Sequence, residues 1–265
     1  MPKLRSLLLA LFGALVLAAQ DPAPIPAPPL LPGEGLAVAT AGGEVFCFGD
    51  ARREFPMGGL AEFPWLHLEG DAWSSMNLTF KCTGSLEGHP CDLPKGHGRV
   101  DLARAFQGNC SLAFLVWAKA SSEVWKREDG EGPARFQLEE TFGPFLGSRL
   151  PPGNGLPKIT AAWVGEGDFL RTSAEGMLRW LIDPAQDTTL RMARRLLLSF
   201  RDSTLKDVAW WVATATAPAA ADPAACSAWA VGSNGEIVGV LHLPQGKTRA
   251  ESLARFRAIF RIPAR

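Results

Sequence analysis

Four side chains that bind soft metal ions fall close together in the sequence. Cys82, Cys91, His97 and Cys110 lie within residues 82–110, with the spacing C-x8-C-x5-H-x12-C. Three thiolates and one imidazole match the Cys3His ligand set of tetrahedral structural zinc sites. We therefore predict a structural zinc ion at these four residues, with His89 as a weaker substitute ligand.

The same cysteines allow a second interpretation, a disulfide between Cys82 and Cys91. Disulfides persist in exported proteins, and this one would close a short loop. Cys110 would then be a buried free thiol, and His97 would form structural hydrogen bonds. The spacing alone leaves zinc and the disulfide both open.

A hydroxyl and an amine also stand at a spacing that can support catalysis. Ser203 and Lys206 form the pattern S-x-x-K, which on a helix would place both side chains on one face. A lysine amine in that position could activate the serine as a nucleophile. Because so short a pattern occurs by chance in many chains, the pair is a secondary candidate.

Composition excludes several classes of protein. The 27 basic and 27 acidic residues of the 265-residue chain give a formal net charge of 0. Nucleic-acid binding is not expected, because it needs clustered positive charge to neutralise phosphates. The 47% hydrophobic content excludes a largely disordered chain. A chain of this length can bury a substantial core.

The N-terminus has the features of a secretory signal peptide. Lys3 and Arg5 precede an apolar run over residues 7–19, which as a helix would span about 20 Å, less than the ~30 Å hydrocarbon core of a bilayer. We predict a signal peptide over residues 1–19, a Pro-rich linker over 20–34 and a folded domain over 35–265. The protein would be exported, periplasmic or extracellular, and would contact a membrane only if the N-terminal segment stays uncleaved.

The helices and strands predicted around these side chains follow an α+β pattern. Gly-Gly and Asn-Gly turns predict β-hairpins over residues 36–48 and 228–243, at the two ends of the folded part. Helical periodicity covers residues 102–120, 175–182, 188–200 and 247–260. This predicts one antiparallel sheet built from the chain ends, together with a helical subdomain. Cys47 and Cys226 fall on predicted strands and would form a second disulfide if those strands were neighbours.

Several blocks in one order carry a resemblance to a known family. They read FKCTG from Phe80, HGRVDLARAF from His97, NCSLAF from Asn109, GEGDFLRTS from Gly165 and AWAVG from Ala228. In this order they resemble the transpeptidase domain of class B penicillin-binding proteins, in particular the elongation type. The likeness covers about residues 36–262 and implies the related penicillin-binding protein and serine β-lactamase-like fold.

The resemblance also locates the positions at which that family carries its catalytic side chains. Its S-x-x-K serine and lysine fall on Gly59 and Glu62, and the ends of its S-x-N motif fall on Asn109 and Ser111. Its K-T-G-T strand falls on Ala213, Thr214, Ala215 and Thr216. No serine or threonine lies between Thr40 and Ser74, so a shifted alignment does not restore the nucleophile. Acyl-enzyme chemistry needs the nucleophile, its base and the positioning cation together, so the resemblance implies a pseudoenzyme.

The resemblance bears on the metal site and on partners as well. Some elongation-type members bind zinc at the positions of Cys91, His97 and Cys110, which supports zinc as the one implied cofactor. The family's role implies a peptidoglycan stem peptide or cell-wall synthesis proteins as partners. We therefore expect an inactive module that binds or scaffolds in cell-wall synthesis.

Two alternative functions stay open at the level of sequence. One is an active serine acyl-transferase or hydrolase, of D,D-transpeptidase or β-lactamase type, whose nucleophile has moved to Ser203. The other is a purely structural partner protein in which the cleft is filled by bulky side chains.

Overall fold

The computed structural model describes residues 27–147, 155–198, 210–219, 222–244 and 247–262. The predicted signal peptide, Ser203 and Lys206 lie outside these residues. The strands are β1 (Gly35–Thr40), β2 (Val45–Gly49), β3 (Phe55–Pro56), β4 (Thr79–Cys82), β5 (Ser85–Leu86), β6 (His89–Pro90), β7 (Gly98–Asp101), β8 (Arg171–Thr172), β9 (Trp211–Ala219), β10 (Asp222–Ser233) and β11 (Ile237–Leu243). The α-helices are α1 (Glu62–Ser75), α2 (Leu102–Gly108), α3 (Ser111–Glu128), α4 (Glu131–Phe142), α5 (Ala174–Ile182), α6 (Asp187–Leu198) and α7 (Arg249–Ile259).

The predicted α+β architecture is confirmed. Strands from the two ends of the chain form a five-stranded antiparallel sheet in the order β2-β1-β11-β10-β9. In the second hairpin the side-chain oxygen of Asn234 accepts hydrogen bonds from the amides of Glu236 and Ile237, at 2.9 and 2.8 Å. Gly235 follows with a φ of +93°, a conformation that glycine adopts without a steric penalty. The turn residues thus set the register of the strands that follow.

The sheet separates two apolar layers. On one face, Leu36, Val38, Ala228, Ala230 and Leu241 pack around Phe256 of α7. Helix α7 begins with a capping box in which Thr248 and Glu251 exchange side-chain to backbone hydrogen bonds. The opposite face packs on the larger core, to which the other helices contribute. In edge strand β9, Ala213, Ala215 and Ala217 lie in the large core, and the alternating Thr214 and Thr216 lie on the other face.

The region predicted as one helix over residues 102–120 is two helices, α2 and α3. Asn109 ends α2 with a φ of 57°, the left-handed conformation that asparagine tolerates better than most residues. The amide of Cys110 then bonds back to the Ala105 carbonyl at 2.8 Å, and α3 begins at Ser111. The apolar periodicity continues through this break, which is why it did not signal the turn.

The condition for a second disulfide between Cys47 and Cys226 is not met, because the strands that carry them are not neighbours. Cys47 lies on β2 and Cys226 on β10. Strands β1 and β11 lie between them in the sheet. Sequence could place each cysteine on a strand but not the order of the strands.

The described residues that precede β1 contact α7. Glu34 is 3% exposed, and its carboxylate pairs with the guanidinium of Arg255 at 2.8 Å. Leu30 packs against the apolar layer around Phe256. The described end of the Pro-rich stretch therefore contacts the domain rather than standing away from it.

None of the helices in the described ranges is both long and apolar enough to cross a bilayer. The apolar run at residues 7–19 is outside those ranges.

Candidate functional site

A groove with a volume of about 900 Å³ opens between edge strand β9 and the helical subdomain. Of the positions predicted from motifs, Gly59, Asn109, Ser111 and Thr216 line this groove. Glu62 lies buried nearby, beside the charge of Arg249. The fold thus brings together the positions that the sequence assigned to three separate motifs. The groove is open, which counts against a function in which bulky side chains fill it.

The segment that carries Gly59 is pressed against β9. Gly58 and Gly59 stand in a single 3-10 turn, Gly58–Ala61, that leads into α1. Gly58 has a φ of +52°, and a Cβ atom there would lie 1.9 Å from the Thr216 carbonyl oxygen. A Cβ atom on Gly165 would lie 1.8 Å from the Gly58 carbonyl oxygen. Only glycine fits at these two positions, because the obstructing atoms are backbone.

At the predicted nucleophile position, the space for a side chain is already filled. A Cβ atom on Gly59 would lie 1.6 Å from Oδ1 of Asn109. Asn109 is 3% exposed, and its Nδ2 donates a 2.8 Å hydrogen bond to Oδ2 of Asp92. The position therefore has no hydroxyl, and an amide occupies the volume that a hydroxyl would need.

The predicted base position holds a carboxyl group in a desolvated setting. Glu62 is 1% exposed, and within the described part of the chain its Oε1 has no hydrogen-bond partner. Burial raises the pKa of Glu62 well above its usual value, an effect that the nearby positive charge of Arg249 opposes and the negative charge of Asp92 reinforces. A neutral carboxyl group cannot replace an amine that accepts the proton of a nucleophilic serine.

The strand predicted to correspond to K-T-G-T has alanine at the lysine position and has a cation beside it. Ala213 and Ala215 are buried in the core. The Nε of Arg249, from the first turn of α7, donates a 3.3 Å hydrogen bond to Oγ1 of Thr214. Its two terminal nitrogens donate to the carbonyls of Gly108 and Gln107, at 2.5 and 2.7 Å.

Sequence reasoning missed two residues of this groove, Arg249 and Asp92. The helical pattern over residues 247–260 marked Arg249 only as part of a polar face. Asp92 follows a cysteine, and no motif pointed to it. Its Oδ2 accepts hydrogen bonds from both Asn109 and Thr216, each at 2.8 Å. These contacts join residues far apart in the chain, so local pattern carries no signal for them.

The four predicted metal ligands come together in one cluster. The candidate ligand atoms of Cys82, Cys91, His97 and Cys110 all lie within 4.8 Å of one another. The Sγ of Cys91 is 3.2 Å from Nδ1 of His97, and Nε2 of His97 is 3.1 Å from the Gly108 carbonyl oxygen. A proton on Nε2 would bond to that carbonyl and leave Nδ1 free to bind a metal, as is usual for metal-binding histidines.

The protonation chemistry of the cluster also suits a metal cation. The hydrogen bond from the Cys110 thiol lowers the pKa of Cys91 to about 5, against the opposing effect of burial. The same pairing and burial raise the pKa of Cys110. A thiolate at Cys91 would be available at neutral pH, and thiolates are the form in which cysteine binds zinc. The donor set therefore fits a structural zinc ion, which would cross-link the segments that carry these residues.

The disulfide between Cys82 and Cys91 is not formed, since both residues are free thiols within the cluster. The suggestion of His89 as a substitute ligand was also wrong. Nδ1 of His89 lies 2.7 Å from Oε2 of Glu166, so this histidine pairs with a carboxylate at the groove and is no member of the cluster.

Comparison with known proteins identifies the fold. No protein-family profile and no curated protein sequence matches the chain. The transpeptidase domain of Burkholderia pseudomallei penicillin-binding protein 3 is 16% identical over 87% of this chain and 89% of that one, with a TM-score of 0.54. PBP2 of Pseudomonas aeruginosa is 10% identical over 85% and 73% of the two chains, with a TM-score of 0.53.

A class D β-lactamase from Fusobacterium nucleatum is 11% identical over 87% of this chain and 93% of that one, with a TM-score of 0.54. Identities of this size establish the fold alone, so the elongation-type assignment and the motif correspondences stay predictions. The chain has the fold shared by penicillin-binding protein transpeptidase domains and class D β-lactamases.

Proposed function

We propose that this protein is an exported, catalytically inactive transpeptidase-like domain that binds a cell-wall stem peptide, without reacting with it, in peptidoglycan synthesis. The observation that carries the proposal is the amide of Asn109 in the space beside Gly59, at the bottom of an open groove. The groove has a shape that can hold a ligand, but Gly59, at the position predicted for the nucleophilic serine, has no side chain that could attack one.

The character of the groove supports a peptide ligand. Thr216 lines one side of the groove and belongs to edge strand β9, which has no strand partner on its outer side among the described residues. Such an edge can pair with an extended peptide through backbone hydrogen bonds. Apolar side chains such as Leu93, Leu112 and Val164 line the rest. The positive charge of Arg249 beside Thr214 suits a carboxylate at one end of the peptide.

A binding measurement with a groove-blocking variant tests the proposal. We expect a fluorescent acyl-D-alanyl-D-alanine peptide to bind the purified protein reversibly, as measured by fluorescence polarisation. Ala250 is an exposed residue of α7 that lines the groove. Replacing it with tryptophan should weaken binding by about tenfold or more, since a loss of 1.4 kcal/mol already gives that factor.

The matched control is Ala254→Trp, which places the same side chain one turn further along α7. Ala254 is exposed and does not line the groove, so this variant should bind as the unmodified protein does. Binding that neither substitution changes would place the peptide elsewhere on the surface. Absence of binding to the unmodified protein would refute the peptide-binding function.

The alternative of an active enzyme depends on Ser203 and Lys206, which lie outside the described residues. No contact in the described part of the chain favours it. Covalent labelling by a β-lactam separates the two functions.

A further inference from the structure

We infer that the Cys3His cluster controls access to the groove, because it anchors a loop that hydrogen-bonds across the groove to β9. This loop, which we call the strap, comprises residues 83–97, between β4 and β7. The inference rests on the proposed function only in taking the groove as the ligand site.

The strap is a compact unit attached at the metal cluster. Cys91 and His97 belong to it, and Cys82 directly precedes it. A Cβ atom on Gly84 would lie 2.1 Å from the Pro94 carbonyl oxygen, and one on Gly96 would lie 2.3 Å from the Cys82 carbonyl oxygen. The two ends of the strap are thus packed against each other around the cluster.

One carboxylate oxygen connects the strap to both walls of the groove. Oδ2 of Asp92 accepts hydrogen bonds from Nδ2 of Asn109 and Oγ1 of Thr216, each at 2.8 Å. Asp92 directly follows the ligand Cys91, and Asn109 directly precedes the ligand Cys110. Two of the three groups in this contact are therefore next to a residue of the metal cluster.

A second contact holds the strap to the loop that precedes β8. Nδ1 of His89 lies 2.7 Å from Oε2 of Glu166, and both residues line the groove. The strap consequently bridges the groove, with Asp92 bonded on the β9 side and His89 on the other.

Metal binding would fix the positions from which these bonds are made. When bound, zinc would hold Cys91 and Cys110 at one centre and so fix the backbone of Asp92 and Asn109. Without it, Asp92 must order the strap by its own hydrogen bonds, against the conformational entropy of a loop. Loss of zinc should therefore release the strap from Thr216 and widen the groove.

Hydrogen–deuterium exchange, followed by mass spectrometry on the purified zinc-loaded protein, tests this inference. Removal of zinc with a chelator should speed exchange about tenfold in peptides covering the strap, and likewise in those covering residues 211–217 of β9, as expected when a hydrogen bond to a charged group is lost. In Asp92→Ala the chain should still hold one zinc. Its β9 peptides should exchange fast from the start and no longer respond to the chelator.

Glu87→Ala provides the matched control. Glu87 is an exposed acidic residue of the same strap, but its partner is Lys119, at 2.7 Å, and it does not line the groove. This variant should respond to chelation as the unmodified protein does. The inference is refuted if chelation leaves β9 exchange unchanged, if Asp92→Ala behaves like Glu87→Ala, or if the purified chain binds no zinc.

The exchange experiment contains no peptide ligand, so its outcome is independent of the proposed function. A groove that fails to bind the D-alanyl peptide could still open when zinc is removed. Conversely, the protein could bind the peptide while its β9 exchange does not respond to zinc removal. That result would support the proposed function and refute only the inference that the metal cluster controls access to the groove.

Discussion

Replacing Cys91 with serine should abolish stoichiometric zinc binding and lower the free energy of unfolding by several kcal/mol. Apparent binding energies of structural zinc are about 10–16 kcal/mol in small zinc-dependent peptides, where folding is coupled to binding. We expect a smaller part of that energy to appear here, because most of the large core and the five-stranded sheet are held by contacts that do not involve the cluster. Zinc per chain by elemental mass spectrometry, and urea unfolding followed by circular dichroism, give the two readouts.

Cys47→Ser is the matched control for this experiment. Cys47 is a half-buried thiol on β2, on a different part of the domain from the cluster. Its replacement should leave one zinc per chain and change the free energy of unfolding by less than about 1 kcal/mol. Equal zinc contents in the two variants would contradict the assignment of Cys91 as a ligand.

Acid should destabilise the protein through His242, and replacing this residue with leucine should remove most of that effect. His242 is 1% exposed on β11, and neither ring nitrogen has a hydrogen-bond partner in the described part of the chain. Its ring stacks on Phe55 with the centroids 3.6 Å apart. Burial lowers its pKa from 6.5 to about 3, and the nearby charge of Arg53 adds to the effect.

The direction of the pH effect follows from proton binding. Because the folded pKa is depressed, the unfolded chain binds more protons than the folded one between pH 3 and 6.5. The contribution of His242 to the free energy of unfolding is therefore largest above pH 6.5 and falls by about 1.4 kcal/mol for each pH unit below it. Below pH 3 this contribution of His242 decreases no further, because the histidine is protonated in both states.

Urea unfolding at pH 7.5 and pH 4.5 measures this contribution. The unmodified protein should lose about 2–3 kcal/mol more between these pH values than His242→Leu does. Loss of zinc in acid affects both proteins alike, since the substitution leaves the cluster intact, and it cancels in the comparison. Identical pH dependence of the free energy of unfolding in the two proteins would show that folding does not lower the pKa of His242.

Local sequence signals predicted the parts of the fold that depend on neighbouring residues. A Gly-Gly turn and an Asn-Gly turn, each between two short apolar runs, predicted the two terminal hairpins correctly. The break at Asn109 was missed because α2 and α3 have the same helical period on either side of it. The Cys3His cluster was predictable because its ligands are close in sequence and chemically distinctive.

The core of the candidate site could be predicted only in part, because it is built from contacts over long distances in the chain. Sequence placed Gly59 and Asn109 at the positions of two motifs. It gave no sign that the Asn109 amide fills the space beside Gly59, since that depends on how α1 packs against the start of α3. The contacts of Asp92 with Thr216 and of Arg249 with Thr214 likewise exist only once β9 has joined the sheet.

We expect this domain to form no acyl-enzyme, and intact-mass analysis after incubation with excess benzylpenicillin measures whether one forms. An active transpeptidase domain treated in the same way serves as the positive control. Under denaturing conditions we expect the mass of the protein to be unchanged while the control gains one adduct per chain. A stoichiometric adduct that peptide mapping locates to a serine, Ser203 above all, would refute the inactive-domain proposal and establish an active enzyme with a relocated nucleophile.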